Sequence, residues 1–139
     1  MHPIPEGFRL AAPRNRPNPF NQMVGPFYEK REGKAVSLGL FIEEKHTNSR
    51  GICHGGLLAT MADLALGYAC LAIGSQTSFV TVNLTLDYAG SARPGDWVQS
   101  IAQVQKTGSR LAFANCYLVA NGVQIVRANA IFALSGQPK

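Results

Sequence analysis

The sequence has few charged residues for its length. Charged side chains make up 15% of the 139 residues, whereas hydrophobic residues make up 46%. A disordered or solvating chain has the opposite balance, so the composition predicts a packed globular protein. At this length we expect one domain around a single core. The low charge also indicates that part of the surface is buried against another subunit.

Cysteine is scarce as well. The three cysteines, Cys53, Cys70 and Cys116, form no CxxC pair and lie among apolar neighbours. This is typical of buried free thiols in a reducing compartment rather than of a disulfide framework. We therefore expect a cytoplasmic protein.

The first 20 residues lack the uninterrupted apolar stretch of a signal peptide. They contain four prolines after Ile4, together with asparagine and arginine. This composition predicts an irregular arm over residues 1–18, followed by a single domain over residues 19–139.

Several common functional motifs are missing. The sequence contains no GxSxG elbow of a serine hydrolase, no phosphate loop and no dinucleotide fingerprint. The histidines His2, His46 and His54 show no metal-ligand spacing, so we expect no metal site. The net charge is +5, but the basic residues are dispersed without a run of four. A small ligand with several phosphates fits this distribution better than a nucleic acid, and we expect no nucleic-acid partner.

The most apolar segment covers residues 57–73, where only Thr60, Asp63 and Tyr68 have polar side-chain groups. Such a run predicts a helix that is apolar nearly all round, which either crosses a membrane or is enclosed by protein. An aspartate in mid-segment and the strands that follow favour enclosure, so we expect no membrane partner.

Strand patterns lie on both sides of this helix. The predicted strands cover residues 27–31, 34–44, 80–88, 97–106, 110–120 and 123–134. Asn121-Gly122 is a strong hairpin signal, and short turns require antiparallel neighbours. The fold class is therefore α+β, an antiparallel sheet curled around one helix. One helix cannot cover both faces of the sheet, which predicts a second copy of the chain.

The strand predicted at residues 80–88 has an alternating pattern. Its apolar set comprises Val80, Val82, Leu84, Leu86 and Tyr88. The pattern places Thr81 on the opposite, polar face, together with Asn83 and Thr85. Thr81 is then either an ordinary surface threonine or part of a site.

A cluster of polar residues and glycines marks the start of the apolar helix. His54-Gly55-Gly56 exposes backbone N–H groups at the positive end of the helix, which suits an oxygen that gains negative charge. Asp63 lies two turns further on among apolar neighbours, where a carboxylate is costly unless it is paired, hydrogen-bonded or used. The simpler alternative is a buried aspartate satisfied by a neighbouring hydroxyl or amide. A nucleophilic Cys53 is disfavoured because adjacent residues seldom face each other, as attack by Cys53 with His54 as base would require.

Helix geometry separates the two parts of this cluster. At about 100° per residue, His54 and Asp63 point to opposite sides of the helix. One chain therefore cannot easily bring Asp63 and its own Gly55 amide to one substrate atom. Two antiparallel helices across a dimer axis could do so twice, which again predicts a homodimer at least.

The combined motif Asn48-x5-His54-Gly55-Gly56-x6-Asp63, on a long apolar helix followed by four strands, resembles a known family. It is similar to the hotdog-fold thioesterases of the PaaI-like and THEM2-like group, over roughly residues 20–135. The resemblance implies hydrolysis of an aromatic or medium-chain acyl-CoA to free acid and CoA. It also implies no cofactor, since coenzyme A is part of the substrate, and a homotetramer built as a dimer of dimers.

The resemblance also implies roles for individual residues. Asp63 would be the general base or nucleophile, the Gly55 amide would polarise the thioester carbonyl, and Asn48 would help to place carbonyl or water. His54 would brace the loop, and Thr81 would supply a hydroxyl. The residues that would bind the phosphates of coenzyme A are Lys106, Ser109, Arg110 and Arg93. Each of these four is otherwise an ordinary solvated surface residue.

Two other functions remain open on the same fold. One is a hotdog hydratase acting on enoyl thioesters, although that pattern pairs aspartate with histidine, whereas here the histidine precedes two glycines. The other is a non-catalytic acyl-CoA-binding protein, against which Asp63 argues.

Overall fold

The computed structural model describes residues 2–13, 17–75 and 78–135. The elements in these ranges are, in chain order, β1 (Arg9–Leu10), α1 (Pro19–Val24), β2 (Tyr28–Glu32), β3 (Ala35–Phe41), a 3-10 turn (Glu44–His46), α2 (Gly55–Ile73), β4 (Ser78–Tyr88), β5 (Trp97–Thr107), β6 (Leu111–Ala120) and β7 (Val123–Ser135).

The strands in the described ranges form one antiparallel sheet in the order β1-β2-β3-β5-β6-β7-β4. The β6–β7 turn is made by Asn121 (φ 52°) and Gly122 (φ 77°), the left-handed pair that a two-residue hairpin needs. The predicted α+β architecture, an antiparallel sheet around one long apolar helix, is confirmed. The long strand β4 lies at one edge of the sheet, where backbone groups remain available to a further strand.

Helix α2 forms the centre of the core. It begins after His54, whose side chain accepts a hydrogen bond from the Gly56 N–H, and ends at Ile73, with Gly74 as its C-cap. Ten of its 19 residues are buried, and it contacts all five strands from β3 to β7. By length and composition α2 would also qualify as a membrane span. The sheet that wraps it instead makes it the enclosed core helix that the mid-segment aspartate indicated.

Strand β4 contains an irregularity that its alternating sequence does not reveal. Its pairing with β7 shifts between Thr81 and Asn83, so that Val82 is an extra residue, as in a β-bulge. Thr81 pairs with Phe132, which is fully buried on the helix side, whereas Asn83 pairs with Ile131 on the outer side. The helix-facing set of β4 is therefore Phe79, Thr81, Leu84, Leu86 and Tyr88.

The N-terminal arm is more ordered than predicted. Arg9 and Leu10 form strand β1, which pairs with β2, so the described part of the arm is not wholly irregular. The Phe8 ring packs edge-on against Trp97 at 5.0 Å. The local composition did not indicate this strand, because the arm is held in place by aromatic residues that are distant in the sequence. Residues 14–16 lie outside the described residues.

Candidate active site

The carboxylate of Asp63 is hydrogen-bonded to the neighbouring strand. Asp63 lies in the third turn of α2 and is half-buried. Thr81 Oγ1 of β4 donates to its Oδ1 over 2.6 Å. Among the described residues nothing hydrogen-bonds to Oδ2. One carboxylate oxygen is therefore held in place, and the other remains available for chemistry.

Thr81 reaches Asp63 because of the bulge at Val82. Uninterrupted alternation would have turned Thr81 to the outer face with Asn83 and Thr85, so the predicted placement of Thr81 is wrong. The extra residue turns both Thr81 and Leu84 toward α2, although an odd number of positions separates them. A bulge next to a site is a recurrent way to re-aim a side chain.

The N-terminus of α2 presents one free amide. The His54 side chain is exposed, and its Nδ1 accepts the Gly56 N–H over 2.8 Å, so His54 caps the first turn of α2. The Gly55 N–H, at the first helical position, has no acceptor in the described part of the chain. An unused N–H at a helix N-terminus is suited to bind an oxygen that carries negative charge.

The sequence analysis missed Tyr88 as a contact of this loop. Its hydroxyl donates to the Gly55 carbonyl oxygen over 2.7 Å and so fixes the peptide that follows the free amide. The period-two pattern counted Tyr88 among the core residues because it shares their face. An available signal was that Tyr88 is the only member of that apolar set with a hydroxyl group.

Asn48 is used within its own turn. Its Oδ1 accepts the Arg50 N–H over 2.9 Å and the Ile52 N–H over 3.4 Å, and its backbone N–H donates to Ile52 O over 2.9 Å. These bonds shape the loop ahead of α2. The structure does not bring Asn48 into hydrogen-bond contact with Asp63, Thr81 or Gly55 within one chain.

Gly55 and Asp63 are far apart along the same helix. With a rise of about 1.5 Å per residue, eight residues separate them by about 12 Å along the axis. No single oxygen atom can hydrogen-bond to both groups of one chain. Asp63 with Thr81, and Gly55 with His54 and Tyr88, thus form two separate groups of residues in one chain.

The cysteine next to His54 is chemically inert in this fold. Burial raises the pKa of the Cys53 thiol to about 11, so it stays protonated near neutral pH. Cys53 is buried, and its Sγ lies 3.7 Å from the carbonyl oxygen of His54, not against the imidazole. The structure therefore agrees with the rejection of a cysteine nucleophile.

The four residues considered for coenzyme A phosphates fall into two places. Lys106, Ser109 and Arg110 surround the β5–β6 turn near the C-terminal end of α2, where a Cβ on Gly74 would lie 3.0 Å from Thr107 Oγ1. Arg93 is exposed on the loop next to the N-terminal end of α2, because Ala92 O accepts the Cys53 N–H. The two ends of this 19-residue helix are about 28 Å apart. One chain does not gather these residues into one site.

Comparison with known proteins identifies relatives over the whole chain. Residues 50–125 match the sequence profile described as the thioesterase superfamily. A Pseudomonas aeruginosa protein named "Putative esterase PA0474" is 39% identical over 137 residues, which is 96% of this chain and 99% of that protein. Human acyl-coenzyme A thioesterase 13 is 36% identical over 74 residues, about half of each chain (53% and 53%).

The fold also matches solved structures. The Escherichia coli PaaI protein from the phenylacetic acid degradation operon superimposes with a TM-score of 0.77, at 20% identity, over 87% of each chain. This likeness identifies the architecture as the hotdog fold, as the sequence motif predicted.

Proposed function

The chain belongs to the thioesterase superfamily, and we propose that it hydrolyses an acyl-CoA to the free acid and CoA with Asp63 as the catalytic carboxylate. The observation that carries the proposal is the Thr81–Asp63 hydrogen bond, which leaves Oδ2 without a partner in the described residues. The name of the human relative, acyl-coenzyme A thioesterase 13, supports the substrate class.

The chemistry requires an activated oxygen nucleophile and a stabilised oxyanion. In one route Asp63 takes a proton from water, the water oxygen bonds to the acyl carbon, and the carbon–sulfur bond breaks as the CoA sulfur gains the proton. In the other route Asp63 attacks the acyl carbon directly, and the carbon–sulfur bond breaks to release the CoA thiolate. Water then hydrolyses the resulting anhydride to the free acid and the Asp63 carboxylate, and a proton from this water passes to the CoA sulfur. Both routes place negative charge on the thioester oxygen, which the Gly55 N–H would stabilise.

We propose further that the site is shared between two protomers. The separation of about 12 Å between Gly55 and Asp63 in one chain supports this arrangement. The unpaired edge of β4 supports it too, since exposed strand edges favour pairing with another chain. In an antiparallel pair of helices, Asp63 of one protomer would face the Gly55 amide of the other. A homodimer is the minimum assembly, and a homotetramer is its proposed doubling.

The two half-sites of this shared site, Asp63 with Thr81 and Gly55 with His54 and Tyr88, can be tested with separate substitutions. Asp63→Asn removes the base, and we expect kcat for thiol release to fall about 10²- to 10⁴-fold with the circular dichroism spectrum unchanged. Gly55→Pro removes the N–H and should leave the backbone in place, because proline is accepted at the first helical position and His54 has the extended ψ of 134° that a residue before proline requires. We expect it to lower kcat about 10²- to 10³-fold. Gly55→Ala is the matched control, since it keeps the N–H and its Cβ would meet Tyr88 at an ordinary 3.5 Å.

Mixing the two inactive variants tests whether the site is shared. Co-refolded at equal amounts, Asp63→Asn and Gly55→Pro chains should regain about a quarter of the wild-type activity, because half of the dimers are mixed and each has one intact site. No recovery in dimers proven to be mixed would contradict the shared site. Full turnover by Asp63→Asn would reject the assignment of the carboxylate.

A further inference from the structure

The ring of Phe79 is packed onto the backbone of α2 at Gly67. A Cβ added to Gly67 would lie 2.3 Å from Cζ and 2.5 Å from Cε2 of Phe79, closer than any real Cβ contact. Glycine at this position therefore admits the tip of the ring between β4 and α2. The ring also packs edge-on against the buried Phe132, with centroids 5.0 Å apart.

This contact lies immediately beside the proposed catalytic pair. Gly67 follows Asp63 by four residues, so both lie on the same side of the helix, one turn apart. Phe79 precedes Thr81 by two residues on β4, before the bulge, so both side chains face α2. The Phe79–Gly67 contact thus joins the same two elements as the Thr81–Asp63 contact, and it lies one helical turn closer to the C-terminal end of α2.

The ring therefore lies in the path of an acyl chain that would extend from Asp63 along the helix toward its C-terminal end. In the opposite direction the helix presents the small, half-buried side chain of Ala59 before it reaches Gly55. Phe79 is itself only partly buried, so one side of the ring remains available to a ligand. We infer that Phe79 is a specificity-determining residue that closes the acyl site at this end and limits the length of acyl chain accepted. This inference rests on the proposed thioesterase function.

Shortening Phe79 should extend the site. We expect Phe79→Ala to move the optimum of kcat/KM toward longer chains in a series of saturated acyl-CoAs from acetyl to palmitoyl. For chains beyond the wild-type optimum, each newly buried methylene should raise kcat/KM about fourfold. The gain should appear mainly in KM, because the added contacts do not touch the reacting atoms. Phe79→Leu keeps an apolar side chain and should give a smaller shift, which protects the test should Phe79→Ala not fold.

Phe41→Ala is the matched control. Phe41 is also a half-buried phenylalanine packed edge-on against an aromatic ring, Trp97 at 4.7 Å, but it lies on β3, four strands away from β4. It should leave the chain-length profile unchanged.

The glycine offers a second, independent measurement. Gly67→Ala should lower the melting temperature because its Cβ displaces the ring, and adding Phe79→Ala should relieve that loss. Additive effects of the two substitutions on melting temperature would contradict the contact.

An unchanged chain-length profile in active Phe79→Ala and Phe79→Leu would overturn the inference while leaving the proposed function intact. No thiol release by the wild-type protein from any acyl-CoA in the series would overturn the proposed function, and the inference with it.

Discussion

The two halves of β4 have the same alternating sequence but serve different purposes. Before Val82, Phe79 and Thr81 contact Gly67 and Asp63 of the helix. After Val82, Leu84 and Leu86 pack against the hydrophobic core. The second half thus supplies apolar packing, whereas the first half supplies a hydroxyl to a carboxylate. A single extra residue allows one strand both to pack against the core and to supply a side chain to the candidate site.

The difference between the two halves of β4 shows how a carboxylate in an apolar helix can be given a hydrogen-bond donor. Without the bulge, the side chain facing α2 before the core residues would be apolar, since Val80 and Val82 would then share a face with Leu84. Asp63 would have no hydroxyl beside it and would be a poorly satisfied carboxylate in an apolar helix. The bulge thus provides a neutral hydrogen-bond donor for one of the two carboxylate oxygens of Asp63.

The largest effect expected within β4 is on Thr81. Thr81→Val removes the hydrogen bond to Asp63 and keeps the shape of the side chain. Because a hydrogen bond to a charged group contributes about 1.5–3 kcal/mol, we expect kcat to fall about 10- to 100-fold. Thr85→Val, made on the same strand after the bulge, should leave kcat unchanged because Thr85 faces outward. Equal losses for the two variants in a thiol-release assay would mean that the strand alternates without interruption.

The next effect is on stability. Leu86→Ala removes a half-buried side chain from the core and should lower the free energy of unfolding by about 1–2 kcal/mol, less than a fully buried leucine would. Val80→Ala should change it by less than about 0.5 kcal/mol, since Val80 is 65% exposed. Straight alternation would put both residues on one face and make the two losses comparable. Urea denaturation of the two variants distinguishes these cases.

Most of the fold could be predicted from the sequence. Long apolar and alternating runs, the Asn121-Gly122 turn and the short connections determine an antiparallel sheet around a helix. Strand β1 could not be predicted, because its two residues are too few to show an alternating pattern. They form a strand only by pairing with β2. The bulge was also hidden, since an extra residue in a perfectly alternating strand is selected by contacts with β7 and α2 rather than by local pattern.

The residues of the candidate site could be singled out from the sequence, but their contacts could not. Spacing singled out Asp63, His54 and Gly55, because a carboxylate in an apolar helix and glycines at a helix start are chemically unusual. Asn48 was expected to help to place carbonyl or water, and the sequence did not show that its side-chain oxygen accepts two backbone amides of its own turn. Such local competition for a short polar side chain is not visible in a motif.

The smallest effect, and the one that tests the far end of β4, concerns Tyr88. Tyr88→Phe removes the hydrogen bond to the Gly55 carbonyl, worth about 1 kcal/mol, so we expect at most about a fivefold loss of kcat. Burial raises the pKa of Tyr88 above its ordinary value, and the negative charge that Cys53 carries once its thiol ionises adds a smaller contribution. The hydroxyl group therefore stays protonated, and this contribution is fully present below about pH 10 and lost only as the pH rises through the raised pKa. The ratio of wild-type to Tyr88→Phe kcat should be constant from pH 6 to pH 9. A ratio that changes within this range would mean that Tyr88 takes part in proton transfer rather than positioning the Gly55 peptide.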